Sequence, residues 1–206
     1  MIVIALLTAS RTWAYDFQVG ELYYNKLGSN TVNVEVTAPP TGKYSGDIVV
    51  PASFTIGSTT YQVTAIGNKA FRTASDVTSI TLPKGITSIG AFAFNDCTGL
   101  TSFTLSASIT SIGQRAFYYC DKLQHLWAEA ADPASYNVGS EAFYFINRGG
   151  NTCTIHTPTG RSATYQNSDA FKGKNFAFDE CVFINSTTFP DKYFRNYILA
   201  QDYGAD

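Results

Sequence analysis

A repeat solenoid, short copies of one unit stacked around a parallel β-sheet, is the architecture expected of this 206-residue chain. The first reason is a period. Residues 63–85, 86–108 and 109–131 read VTAIGNKAFRTASDVTSITLPKG, ITSIGAFAFNDCTGLTSFTLSAS and ITSIGQRAFYYCDKLQHLWAEAA, three copies of 23 residues. The second is alternation inside each copy. Ile80 and Leu82, then Phe103 and Leu105, then Leu126 and Ala128 recur at period two, as in a strand with one buried face. Constant spacing sets these strands side by side in parallel register.

The chain opens with MIVIALLTASRTWA, an apolar run at residues 2–7 followed by small residues at Thr12 and Ala14. This is the pattern of a signal peptide cut after Ala14, although no basic residue precedes the run, so residues 1–14 read as an incomplete one. A membrane helix needs about 20 apolar residues, and no segment reaches that. Residues 15–62 read as an N-terminal β cap. FQVGELYYNKL and TVNVEVT form a hairpin across Leu27-Gly28-Ser29-Asn30, and IVVP at 48–51 echoes ITLP at 80–83 as the strand half of a repeat. A second hairpin joins FTI at 54–56 to YQV at 61–63 through a Gly-Ser-Thr-Thr turn. Such a cap is needed because a first rung would otherwise expose an apolar face and a free sheet edge.

Within the repeats, residues 63–160, the Ile-Gly steps at Ile66-Gly67, Ile89-Gly90 and Ile112-Gly113 read as tight turns in which Gly takes a positive φ. Each leads to Ala70-Phe71, Ala93-Phe94 or Ala116-Phe117, expected as a short helical or 3₁₀ turn opposite the strand. The core is then Phe71, Phe94 and Phe117 with Ile66, Ile89 and Ile112. Cys97 and Cys120 share one repeat position, filled by Ala74 one copy earlier, which marks a small buried slot. Neighbouring rungs about 4.8 Å apart leave a bridge between these thiols geometrically open. A bridge between Cys153 and Cys181 is likewise open, and no cysteine pair has the CxxC spacing of a zinc or redox site.

The period slips after the third copy. Ala142-Phe143 follows Ala116-Phe117 by 26 residues, so an insertion falls near residues 131–136, and a degenerate fourth rung ends in the strand CTIHT at 153–157. Residues 161–180 read as a closing cap, with RSATYQNSDAFKGKNF as a short helix bearing Ser or Thr caps and apolar Tyr165, Phe171 and Phe176.

The frame I-T-S-I-G-x-x-A-F-x-x-C-x-x-L-x-x-F/L-x-L resembles the BspA-like leucine-rich repeat of bacterial secreted and cell-surface proteins, over roughly residues 44–178. The entry GDIVVP…SFTIGSTTYQVTAIGNKAF and the exit HTPTGRSATYQNSDAFKGKNF resemble that family's ends. Departures are Ser106 in place of Pro, Ala74 in place of the first Cys, and Trp127 and Ala128 in the third strand. The resemblance implies a leucine-rich-repeat sheet and an exported bacterial protein that acts in adhesion or protein binding, with no shared catalytic residues to carry over. A second resemblance lies in residues 181–206, where FPDKYFRNY is similar to the helix before an EF-hand-like calcium loop. Asp202 and Asp206 stand at loop positions 1 and 5, Gly204 stands at position 3, and positions 6–12 are missing, so the segment as written cannot hold calcium. The expectation is a fragment of a longer protein.

Chemistry is sparse. Net charge is −2 and charged residues make up 15%, with no basic run, which excludes a phosphate-backbone footprint and makes nucleic acid an unsuitable partner. Only His125 and His156 supply imidazole, no GxSxG, HExxH, Walker or GxGxxG pattern is present, and Asp96 and Asp121 read as turn residues. No catalytic residue, metal site or cofactor is expected. The candidate ligand surface is the outward side of the strands: Ser79, Ser102 and His125 in one column, Thr81, Thr104 and Trp127 in the next. An exposed Trp beside polar residues is a common binding anchor. The competing reading has the 131–136 insertion fold over Trp127 and bury it. Tyr118 and Tyr119 read as rung-edge packing. The function expected is non-enzymatic binding of a host or bacterial extracellular protein or glycan. The alternative is a structural spacer or display module of a larger cell-surface protein, and a third reading adds a downstream catalytic or calcium-binding domain.

Overall fold

A computed structural model describes residues 15–29, 31–146, 152–172 and 176–181, the side chain of Cys181 excepted. Residues 1–14, read from the sequence as an incomplete signal peptide, and the residues beyond Cys181, read as EF-hand-like, lie outside the described residues.

The chain enters through β1 (Phe17–Val19), β2 (Leu22–Lys26) and β3 (Asn33–Thr37), an antiparallel meander. The single first strand expected from FQVGELYYNKL is therefore two, because Gly20 takes φ 61° and reverses the chain between Val19 and Leu22. Next come β4 (Gly46–Val49), β5 (Ser53–Ile56) and β6 (Thr59–Ile66), with β5 and β6 joined antiparallel through Gly57-Ser58. The repeats supply β7 (Val77–Thr81), β8 (Ser88–Ile89), β9 (Ser102–Leu105), β10 (Ser111–Ile112) and β11 (His125–Ala128). A 3₁₀ turn at Pro133–Ser135, β12 (Asn137–Val138), β13 (Cys153–Pro158), α1 (Ser162–Asn167) and β14 (Phe176–Cys181) complete the order.

Each rung contributes to two sheets, not one. The order β1-β2-β3-β6-β8-β10-β12 makes the first sheet, with β5 added on β6; its repeat strands run parallel. The second is β9-β11-β13-β14, all parallel, while β4 and β7 form a separate parallel pair. The half-rung at Ile48 thus stacks on Ile80.

The Ile-Gly steps belong to the first sheet, and their glycines do not have positive φ. A Cβ on Gly113 would lie 2.4 Å from the amide nitrogen of Ala91 and 2.5 Å from the carbonyl carbon of Gly90. Glycine stands there because the backbone of the preceding rung passes through the space a side chain needs.

The segments around the phenylalanines are neither α nor 3₁₀ helix. Two non-glycine residues per rung take positive φ: Lys69 and Thr73, Phe92 and Asp96, Arg115 and Tyr119, Glu141 and Phe145. This bends the chain so that alternate amides point along the stack. Lys69, Phe71 and Thr73 N–H donate to the carbonyls of Ala91, Ala93 and Asn95 at 2.7–2.9 Å, while Ala70 and Ala74 N–H donate back to Gly67 and Phe71. Inter-rung bonds replace the i→i+4 bonds of a helix, which is how the strained conformers persist.

Between the layers lies one column of rings. Phe71, Phe94, Phe117 and Phe143 are buried and stacked nearly parallel, with successive centroids 5.2, 5.1 and 5.2 Å apart. Each buried Phe contributes about 1.5–3 kcal/mol of transfer free energy. Cys97 and Cys120 lie beneath, donating to the carbonyls of Phe71 and Phe94 at 3.0 and 3.1 Å, and no bridge joins them. Burial pushes the Cys97 thiol up to about 12 and raises that of Cys120 as well. Cys153 pairs in register with Phe176, whereas Cys181 lies opposite Pro158 at the other end of the ladder. At about 3.3 Å per residue those positions are too distant for a disulfide.

The C-terminal segment is a helix followed by a strand. Phe176, expected on the helix, begins β14, which extends the second sheet beyond β13. The helix has Arg161 at its N-cap and no Ser or Thr cap. The carboxylate of Glu180 does that work, accepting Gly160 N–H at 2.9 Å and Ser162 N–H at 3.2 Å, and these bonds hold its pKa below the ordinary range.

Candidate functional site

The outer face of the second sheet gathers the polar and aromatic side chains that the core does not use. In β11 the burial alternates, with Leu126 and Ala128 inward and His125 and Trp127 outward and half-buried. Parallel register aligns His125 with Ser102 and Thr154, and Trp127 with Thr104 and His156. His156 in turn aligns with Asp179 on β14.

The rings pack on one another. His156 lies against the indole of Trp127, centroids 3.9 Å apart and planes 16° from parallel. Its Nε2 is 2.9 Å from Nδ1 of His125, and its Nδ1 is 3.6 Å from Oδ2 of Asp179. The carboxylate favours a proton on His156 Nδ1, which leaves Nε2 to accept from His125 Nδ1–H. Burial lowers the His156 pKa, the nearby His125 lowers it further, and Asp179 opposes both. Only 8% of the His156 surface is exposed, so Trp127 is held from one side by a nearly buried imidazole.

The 131–136 insertion does not take that role. Two of its side chains turn inward: Pro133 and Tyr136 are buried, and the Tyr136 hydroxyl donates to Leu105 C=O at 2.8 Å while accepting from Ala130 N–H at 2.9 Å. Tyr165 donates to Ala130 C=O at 2.6 Å, locking the helix to the same loop.

Of the six surface residues singled out from sequence, four share this face: Ser102, Thr104, His125 and Trp127. Ser79 and Thr81 sit on β7, whose ladder is with β4, so they do not belong to the same hydrogen-bonded sheet. Ser79 donates to Asp47 Oδ1 at 2.7 Å, as does Thr78, which makes that hydroxyl a fastener of the β4–β7 pair. His156 and Asp179 were missed. Finding them takes two corrections to the count, because Phe143 to Ile155 is three residues longer than Phe117 to Leu126, in addition to the slip before Ala142. Tyr118 and Tyr119 belong to a separate cluster with Tyr144, Phe145 and the guanidinium of Arg115.

Chemically the face offers an indole, two linked imidazoles, a carboxylate and small hydroxyls. Among the described residues no group of three or more His, Cys, Asp or Glu could hold a metal ion. The arrangement suits contact: an aromatic anchor, prepacked and ringed by hydrogen-bonding groups.

Comparison with known proteins agrees with the repeat architecture. The description "BspA type Leucine rich repeat region" matches residues 52–173 in six copies. No curated protein matches the chain. Among solved structures, a leucine-rich repeat protein from Bacteroides capillosus ATCC 29799 is 29% identical, with a TM-score of 0.54, over 68% of this chain and 96% of that one. A leucine rich cell surface protein from Faecalibacterium prausnitzii A2-165 is 24% identical, with a TM-score of 0.52, over 80% of this chain and 42% of that one. The latter likeness concerns the fold. Among the described residues no helix is long and apolar enough to cross a membrane.

Proposed function

The chain belongs to the BspA type leucine rich repeat family, and on that footing we propose that it is a non-catalytic bacterial binding protein of the cell surface or its surroundings. It works as a capped solenoid: the N-terminal meander closes one end, the α1–β14 segment the other, and the outer face of the β9-β11-β13-β14 sheet contacts an extracellular protein.

The observation that carries this reading is the Trp127–His156–His125 cluster. The preceding rung of this sheet presents only the hydroxyls of Ser102 and Thr104 at the same positions, so the ring cluster is not a requirement of the repeat. Large aromatic side chains held rigid by neighbours give much contact area at little entropic cost. Ser102 and Thr104 on one side and Thr154 and Asp179 on the other form a polar rim. Family membership favours a protein partner over a catalytic role.

The test is capture of extracellular host proteins on the immobilised chain, compared with His125→Ala/Trp127→Ala. Loss of a specific partner in the double variant, with unchanged melting, supports the sheet face. An unchanged set of partners removes that face from consideration, and no specific partner at all favours a spacer or display role.

A further inference from the structure

The inward-turned insertion builds a second feature on the opposite part of the fourth rung. A groove of about 910 Å³ runs between it and the helix. One wall carries Asp132, Asn137 and Val138; the other carries Thr164, Asn167 and Asp169. Small residues, Ala134, Ala163 and Ala170, leave it open.

The wall that holds Asn137 and Val138 includes a sheet edge. Among the described residues β12 is the last strand of the first sheet, and β14 extends the second sheet and not this one. In every earlier rung the carbonyl before the glycine is taken by the next rung: Ile66 by Gly90 N–H at 2.8 Å, Ile89 by Gly113 at 2.7 Å, Ile112 by Gly139 at 2.7 Å. Val138 stands in register with Ile112, and among the described residues no N–H reaches its carbonyl. The turn side repeats the pattern. Lys69, Phe92 and Arg115 N–H donate to Ala91, Gln114 and Ser140 of the following rung, while Glu141 N–H, next in that column, has no acceptor among the described residues. The rung ends as though another strand were to be laid on it.

We propose that this groove takes an extended, Lys- or Arg-bearing peptide segment of a partner protein as an added strand along β12. Unpaired edge groups are templates for strand addition, with main-chain bonds giving affinity and flanking side chains giving specificity. The charge of the segment follows from the lining, which holds two carboxylates, Asp132 and Asp169, and no Lys, Arg or His. Lys172 pairs with Asp169 but lies outside the lining, and Asp132 uses one oxygen to accept Ala134 N–H, leaving the other for a ligand. Asn137, Thr164 and Asn167 supply amide and hydroxyl groups to the main chain of the segment. The proposal rests on the protein-binding reading above and assigns a site to it away from the sheet face.

The experiment is fluorescence anisotropy of the full chain with a labelled Lys-Val-Lys-Val-Lys-Val peptide, its Glu-Val counterpart, and two Lys-Val peptides N-methylated on alternate amides. Saturable binding of the Lys-Val probe is expected, about tenfold or more weaker for Glu-Val and for one of the two methylated registers. Asp132→Asn with Asp169→Asn, which keeps the acceptor oxygens, should erase most of the charge preference, and Trp127→Ala should leave it intact. Equal affinity for both charges, full binding by both methylated registers, or no saturable binding overturns the groove. Loss of peptide binding in Trp127→Ala alone also overturns it, by moving the peptide to the sheet face, and in that outcome the protein-binding reading stands.

Discussion

The ring of His156 lies 3.9 Å from that of Trp127 and bonds to His125, although the three residues come from two strands separated by a lengthened, degenerate rung. A nearly buried imidazole joined to a second imidazole cannot take up a proton without cost. The ordinary value for His156 is 6.5, and the folded protein lowers it through burial and the neighbouring His125. The unfolded chain then binds the proton more readily, so the contribution to stability is complete above the ordinary value and is lost as pH falls through the lowered one. Melting temperatures at about pH 7.5 and about pH 5 should fall further apart in the wild type than in His156→Gln. Equal losses in both would assign the pH dependence to other groups.

Phe94 sits at the middle of the ring column, between Phe71 and Phe117, and also meets Phe103 edge-on at 5.1 Å. Phe94→Ala should destabilise the protein by about 3–5 kcal/mol, measured by denaturant unfolding. A change under about 1 kcal/mol would mean that the rungs are not held by this column.

Gly113 stands at a position that is Gly in every copy, whereas the place of Gly85 is taken by Ser108 and Ala131 in the next two. A Cβ at Gly113 meets backbone at 2.4 Å, whereas one at Gly85 has its nearest neighbour at 3.8 Å. Gly113→Ala should cost about 1–3 kcal/mol or more through forced separation of rungs. Gly85→Ala should stay within about 0.5 kcal/mol. Similar effects from both would count against rung-to-rung contact as the cause.

Cys97 and Cys120 should resist alkylation. Both thiols are buried, both donate to a carbonyl, and burial raises both above their ordinary range. Site-resolved mass spectrometry after iodoacetamide should find neither modified in the native protein and both modified in guanidinium. Rapid native labelling would show that the slot opens.

Much of this architecture was legible in the residues, and what escaped did so for identifiable reasons. Ile80, Phe103 and Leu126 advertise their strands by alternation, and Phe71, Phe94 and Phe117 by strict spacing. The first sheet was hidden because β8, β10 and β12 are two residues long, too short for any period to register. Gly90 looks the same in sequence whether its turn or its neighbour requires it, and here the neighbour does. Left-handed Phe92, Arg115 and Tyr119 are not residues that suggest such a backbone, since inter-rung hydrogen bonds and not side-chain preference sustain it. Of β14 only Phe176 falls in the stretch that reads as a helix, because it follows Tyr165 and Phe171 as one more apolar residue and Gly173 alone does not place a strand entry after it. At the candidate site, His125 and Trp127 followed from the clean period, whereas His156 and Asp179 required the register across the two places where the period fails.

The most direct test of binding through the sheet face is the affinity of a captured extracellular partner for the wild type, Trp127→Ala and Thr104→Arg. Trp127 is the packed anchor, and Thr104 is an exposed neighbour in the same column, where a longer charged side chain obstructs contact without disturbing the core. Losses of about 2 kcal/mol or more in both variants, roughly thirtyfold in Kd, with melting of Thr104→Arg unchanged, are the predicted result. Wild-type affinity in both variants would contradict it.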